Sequence, residues 1–399
     1  MANINNEAGR SEAAALPWSA ARTSGSRSLF ASASGAVWIL LALGAIFGAL
    51  FWGGGSLAAI LDTAWRGYAS PVIGGAARGL LGDGTASRIV LWGLDAGLNA
   101  VLSVAVPYVL TFYLILALLQ ESGALSHVTA AADRLLVRTG LATTASLPLL
   151  IGAGCNVPAI LSLRSLRSEG ERVVAGALVT LVPCSARTAV IFGTVGYVLG
   201  WQWALGLYAL VAGVIIGAGH GLRRFFPGVR PMDRVPMALR VPSARAVAVT
   251  LWAHLREFIL GAVPFVLAGS LVLGALYETG LIRLAARPLS PLVESWLGLP
   301  PAAGLTLIFA VLRKELALQL LMALATMSGA AGGTGLREVM TPPQIFTYAL
   351  VNTIAIPCTA TIGVLARTVG ARRAAAIAGG TLLLAVLLGG IAARVLAGL

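Results

Sequence analysis

The stretch ATTASLPLLIGAGCNVPAILSL, residues 142–163, carries no charge and is long enough to sit in a membrane. Gly152, Gly154 and Pro158 stand in its middle, and glycine and proline break helices. A broken helix frees backbone carbonyls. At membrane depth these are tolerated only where protein buries them or where they line a cavity. Cys155 lies at the break, after Gly154. The other two cysteines stand in the same kind of place, at Pro183-Cys184 and Pro357-Cys358. A thiolate beside freed carbonyls is a resting place for a soft or borderline divalent cation. These positions predict a membrane transporter with a thiol-lined path.

The rest of the composition agrees. Of the 399 residues, 58% are hydrophobic and only 11% charged, with a mean hydropathy of +0.89. Several segments reach the roughly 20 apolar residues that span a bilayer, so the expected fold is an all-α polytopic membrane protein. The net charge of +13 does not point to nucleic acid, because the arginines cluster in short loops between apolar segments, as the positive-inside rule describes. Three cysteines do not make a disulfide framework. Lys314 is the only lysine, and the residues before it are not the glycine-rich run of a P-loop. No GTP site is expected, and a nucleotide-driven step must come from another polypeptide.

A duplication is visible in the letters. VPYVLTFYLILALLQESG (106–123) and VPFVLAGSLVLGALYETG (263–280) match at nine of eighteen positions, including Pro107/Pro264, Glu121/Glu278 and Gly123/Gly280. Further on, Pro183-Cys184-Ser185-Ala186 matches Pro357-Cys358-Thr359-Ala360. Internal repeats are a mark of transporters, with the site near the midplane where repeats meet. In this alignment Cys155-Asn156 falls opposite Arg313-Lys314, which Glu315 follows.

Loop charge orients the chain. Arg134 and Arg138 precede segment 142–163; Arg164, Arg167 and Arg172 follow it; the loop 222–247 carries six more arginines, among them Arg240. All three loops lie in the cytoplasm if 142–163 is re-entrant. Crossings are then expected near 35–53, 100–120, 174–199, 202–221, 257–278, 344–366 and 374–396, with re-entrant elements near 142–163 and 302–327. About seven to nine membrane helices result, with the two repeats inverted. Residues 1–33 read as a disordered cytoplasmic tail, 34–99 as an anchor followed by an extracytoplasmic or interfacial region, 100–222 as the first gate repeat, 223–256 as a cytoplasmic linker and 257–399 as the second gate repeat.

PLLIGAGCNVPAILSLRSLRSEGERV (148–173) followed by LVPCSARTAVIF (181–192) resembles the FeoB ferrous-iron transporter family, whose gate motif runs Gly-x-Gly-Cys-Asn-Val-Pro-Ala-Ile and then Ser-Cys-x-Ala-Arg. IPCTATIGVLARTVGARR (356–373) resembles that family's final Pro-Cys-x-Ala-Thr motif. The likeness covers about residues 100–396. Two departures stand out: Thr188-Ala189 follows where the family has Leu-Pro, and residues 1–33 stand where the family has a GTPase domain. The same strings also look like the nucleoside-recognition gate class.

The resemblance implies a non-enzymatic permease of the bacterial inner membrane, with a cytoplasmic N-terminus. It would import Fe2+ or another divalent metal as substrate, with no permanent cofactor. Cys155, Cys184 and Cys358 would line the cation path. Gly154, Asn156, Pro158, Pro183, Ser185, Arg187, Glu315, Pro357 and Thr359 would form the pathway or gate around them. A separate GTPase or small accessory protein and a homo-oligomer are the implied partners, beside the lipid bilayer.

From the residues alone, Asn156, Ser185 and Thr359 offer oxygen ligands or helix–helix hydrogen bonds. Arg187, costly inside a membrane, either pairs with Glu315 or caps freed carbonyls. Glu121 and Glu278 mark the interface, and His127, His220 and His254 read as loop or interfacial side chains. A nucleoside or small-solute permease is one alternative, though few aromatic and polar groups are available to hold a base. A non-transporting membrane subunit is the other.

Overall fold

In the computed structural model, the described residues are 48, 50–138, 145–166, 168–225, 240–261, 263–281, 288, 290–312, 321, 335–355 and 357–398. No strand occurs among them. Arg313, Lys314 and Glu315, most of the expected crossing 35–53, and the second half of the element 302–327 lie outside them.

A helical run, in which α and π turns alternate, leads from Leu50 to Leu81 and contains α1 (Gly55–Ala64) and α2 (Ser70–Leu81). The chain then turns through Gly82, whose φ of 68° suits a residue without a side chain. Next come α3 (Val106–Glu121), α4 (Ala124–Arg138), α5 (Ser146–Gly154), α6 (Asn156–Ser162), α7 (Glu169–Leu181), α8 (Ser185–Ile191) and α9 (Trp201–Phe225). The remaining helices are α10 (Ala244–Gly261), α11 (Val263–Glu278), α12 (Pro301–Leu312), α13 (Pro342–Ile354), α14 (Thr359–Val369) and α15 (Ala371–Ala397).

Among the described residues, six helical runs are long and apolar enough to cross a membrane: Thr85–Glu121, Glu169–Gly196, Trp201–Leu222, Ala244–Leu276, Pro342–Val369 and Ala371–Ala397. Each overlaps an expected crossing, with two differences, the first being that the run expected from residue 257 begins at Ala244, inside the stretch read as a linker. The other is that the helix expected from residue 100 begins at Thr85, so the second part of the region read as extracytoplasmic or interfacial continues into it. The segment 85–105 is mostly apolar and alternates α and π turns up to α3 without a break.

The two repeated segments form helices with the same bounds at the same offset. Each helix ends on a glutamate, and each is followed two residues later by a glycine of positive φ, 76° at Gly123 and 72° at Gly280. That backbone is open to glycine at little cost, which is why Glu-x-Gly stands at both ends.

Two apolar cores hold the bundle. One gathers Ile160, Leu163, Leu178 and Val179 with Val364 and Leu365. The other gathers Leu181, Ile191 and Val195 with Tyr348, Leu350 and Ile354. Helix α7 enters the first core through Val179 and the second through Leu181, and the segment 345–365 does the same through Ile354 and Val364. The breaks at 182–184 and 355–358 therefore fall at the junction of the cores. Outside, Trp201, Leu205, Leu383 and Ile391 are exposed, as a lipid-facing surface requires.

Candidate functional site at three broken helices

Each cysteine occupies the position just before a helix starts, after another has ended: Cys155 between α5 and α6, Cys184 between α7 and α8, Cys358 between α13 and α14. Proline accounts for two of these breaks. Pro183 and Pro357 have no N–H for the carbonyl one turn back, so α7 stops at Leu181 and α13 at Ile354. The next helix then starts from the cysteine, whose carbonyl accepts its first bond: Thr188 N to Cys184 O at 2.8 Å and Ile362 N to Cys358 O at 3.0 Å. The two Pro-Cys motifs share this geometry.

The break at Cys155 is sharper. Its backbone is extended, with φ −150° and ψ 131°, and the chain folds back there. A Cβ on Gly152 would come 3.7 Å from Cβ of Ala159, whereas seven residues of straight helix span about 10 Å. Gly154 supplies the close approach, since a Cβ there would lie 2.2 Å from Cε2 of Phe112. Pro158 sits in the first turn of α6, where a missing N–H costs nothing. The expected break in 142–163 is present among its described residues, at Cys155.

None of the three cysteines is joined in a disulfide, and all three are half-buried. Cys155 lies within electrostatic reach of both Cys184 and Cys358. The Cys358 sulfur is 3.0 Å from Oγ1 of Thr361. Beside Cys155, the buried Asn156 keeps its Oδ1 without a hydrogen-bond partner among the described residues, an acceptor left available in a protein interior where such groups are normally paired. Ser185 and Thr359 open α8 and α14 and are half-buried. Thr359 meets α11: a Cβ on Gly269 would lie 3.2 Å from its Oγ1. Among the described residues, no three His, Cys, Asp or Glu side chains come together as a metal-holding group.

Arg187 is fully buried. Its Nη1 donates to Thr180 O at 2.6 Å and Val182 O at 3.1 Å, and its Nη2 donates to Ala355 O at 3.0 Å. Of the two roles open in the sequence, capping freed carbonyls is the one made among the described residues.

At the ends of the repeated helices, Glu121 accepts from Arg240 and Thr250, and Glu278 from Arg88. One expectation meets a correction. His254 is not a loop side chain. It lies inside α10, stacked on Tyr113 with centroids 5.1 Å apart and 13° between planes, and its Nε2 is 3.3 Å from Oε1 of Gln120. Sequence reading also missed Tyr113 and Tyr208. Tyr113 lies within electrostatic reach of Cys155. Tyr208 lies within reach of Cys184 and donates to Thr188 Oγ1 at 2.6 Å. A tyrosine within an otherwise apolar helix was the available signal, because a buried phenol needs a partner.

The family described as Gate, nucleoside recognition, matches residues 102–198 and 259–372, more than half of the chain. This chain belongs to that gate family. Its gate segments enclose all three cysteines and both copies of the repeated helix. Relatives named Fe(2+) transporter FeoB are similar to it. That of Synechocystis sp. is 30% identical over 290 residues, covering 69% of this chain and 47% of the relative. That of Staphylococcus aureus strain COL is 28% identical over 287 residues, covering 68% and 43%. That of Escherichia coli K12 is 29% identical over 189 residues, covering 46% and 24%. The chain thus spans about half, or less, of the length of these relatives. No solved structure matches. The gate family and these relatives agree with the resemblance carried by the cysteine motifs.

Proposed function

We propose that this chain is a permease of the bacterial inner membrane that imports a divalent metal cation, Fe2+, past Cys155, Cys184 and Cys358. The observation that carries this reading is the shared placement of the three thiols, each at a helix break, with Cys155 within electrostatic reach of the other two. The relatives' name supplies the ion. Iron(II) accepts thiolate and oxygen donors, and selectivity among such metals comes from geometry and donor type. Single-thiol stations suit passage, since an ion must bind well enough to enter and weakly enough to leave. The orphaned Asn156 Oδ1 supports an oxygen donor beside the first thiol. The inverted relation of the two gate repeats, a cytoplasmic N-terminus, a homo-oligomer and a GTPase or accessory protein acting from another polypeptide belong to the same proposal.

The test is uptake into proteoliposomes holding the purified chain, with Fe2+ under reducing conditions compared with Mn2+, Zn2+ and uridine. Fe2+ entry that is lost in the serine variants of the three cysteines supports the reading. Entry of uridine but no metal overturns it in favour of a solute permease. No transport until a GTPase is added identifies a subunit that depends on one.

A further inference from the structure

Arg187 is an unusual buried cation. None of its side-chain bonds goes to a carboxylate; among the described residues its partners are three main-chain carbonyls drawn from two separate broken helices. Thr180 and Val182 lie at the end of α7, and Ala355 at the end of α13, 168 residues away in sequence from Arg187. Cys184 and Cys358 both lie within its electrostatic reach. Three carbonyl oxygens freed by two proline breaks and held together at membrane depth are the donor set that hard cations prefer: Na+, K+ and Ca2+ are bound by rings of such oxygens. In this structure the guanidinium takes those oxygens.

We propose that Arg187 determines which cations the path accepts, its guanidinium filling an oxygen cage that would otherwise admit hard cations. This rests on the transport reading above. The fixed charge repels every cation that approaches. A borderline ion such as Fe2+ recovers that cost by bonding to sulfur at Cys184 and Cys358. A hard ion gains little from sulfur and finds its oxygens already donated to. The fork of the guanidinium matters as much as its charge: two different nitrogens reach the two helices, which one ammonium cannot reproduce. Arg187 is thus a specificity-determining residue, acting beside the thiols rather than as a ligand.

The experiment is cation influx into proteoliposomes containing the full chain, measured for Fe2+, Ca2+ and K+ with entrapped indicators. Wild type is expected to admit Fe2+ and exclude Ca2+ and K+. Arg187→Gln is expected to raise Ca2+ or K+ influx at least tenfold relative to wild type, and Arg187→Lys to raise it by a smaller factor. A purely structural cap would leave the ratio of Ca2+ to Fe2+ unchanged in a folded variant. A monodisperse Arg187→Gln protein that stays closed to both hard ions overturns the proposal. If that variant does not fold, an unchanged Ca2+ to Fe2+ ratio in Arg187→Lys overturns it, as does wild type admitting Ca2+ as readily as Fe2+. The two readings fail separately. Wild type without Fe2+ entry, together with an Arg187→Gln variant open to Ca2+, removes the iron reading and keeps the cage. Wild type with Fe2+ entry and a closed variant removes the cage alone.

Discussion

Gly154 packs so closely on Phe112 that a Cβ there would stand 2.2 Å from Cε2 of the ring. The break beside Cys155 is thereby closed against α3, the first copy of the repeated helix. Alanine at 154 must push the ring or the break aside, at a cost of about 1–3 kcal/mol for overpacking. Gly154→Ala is expected to lower the thermal midpoint of the purified protein, and Phe112→Leu to restore part of the loss in the double variant. Equal midpoints for wild type and Gly154→Ala would sink this.

Exchanging sulfur for oxygen should weaken a station for a borderline metal while preserving size. Cys184→Ser and Cys358→Ser are each expected to reduce Fe2+ uptake by roughly tenfold or more, with the midpoint little changed. Initial uptake rates at sub-saturating Fe2+ make the check, and a folded Cys184→Ser protein with the wild-type rate contradicts the path.

Metal binding to a thiol releases its proton. Acidification therefore opposes binding, and uptake measured from about pH 6 to about pH 8 is expected to rise with pH. Uptake measured under reducing conditions across that range tests the sign. A rate that falls with pH, or a slope that survives in the triple serine variant, speaks against thiol ligation.

The stacked Tyr113–His254 pair joins α3 to α10 in the first core. Such aromatic contacts contribute about 0.5–1.5 kcal/mol beyond area burial. His254→Ala is expected to lose about that much stability and His254→Phe to keep most of it, as read by thermal unfolding in detergent. An unchanged midpoint in His254→Ala removes the stacking from the account.

Arg240 and Glu121 form a pair 3.2 Å apart with the arginine half-exposed. Exposed pairs give about 0–1 kcal/mol. Arg240→Ala is expected to shift the midpoint only slightly and to leave Fe2+ uptake unchanged. A large loss of uptake would instead assign this pair to the ion's entry.

The membrane class, the duplicated helix and the three breaks were legible in the letters alone. These follow from chemistry local to the chain: apolar length sets a span, proline removes a donor, and glycine permits the left-handed turn after Glu121 and Glu278. The candidate cysteines were legible for the same reason, since each stands beside the residue that makes its break. What those breaks face was settled by packing between distant helices. Nothing in the letters joins Arg187 to Ala355, places Gly154 against Phe112, or stacks His254 on Tyr113, because each contact depends on how distant helices pack and on close approaches that vary at the scale of one methyl group. His254 shows the limit most plainly. Its place in the sequence read as a loop or membrane edge, and packing of α10 on α3 put it inside the bundle.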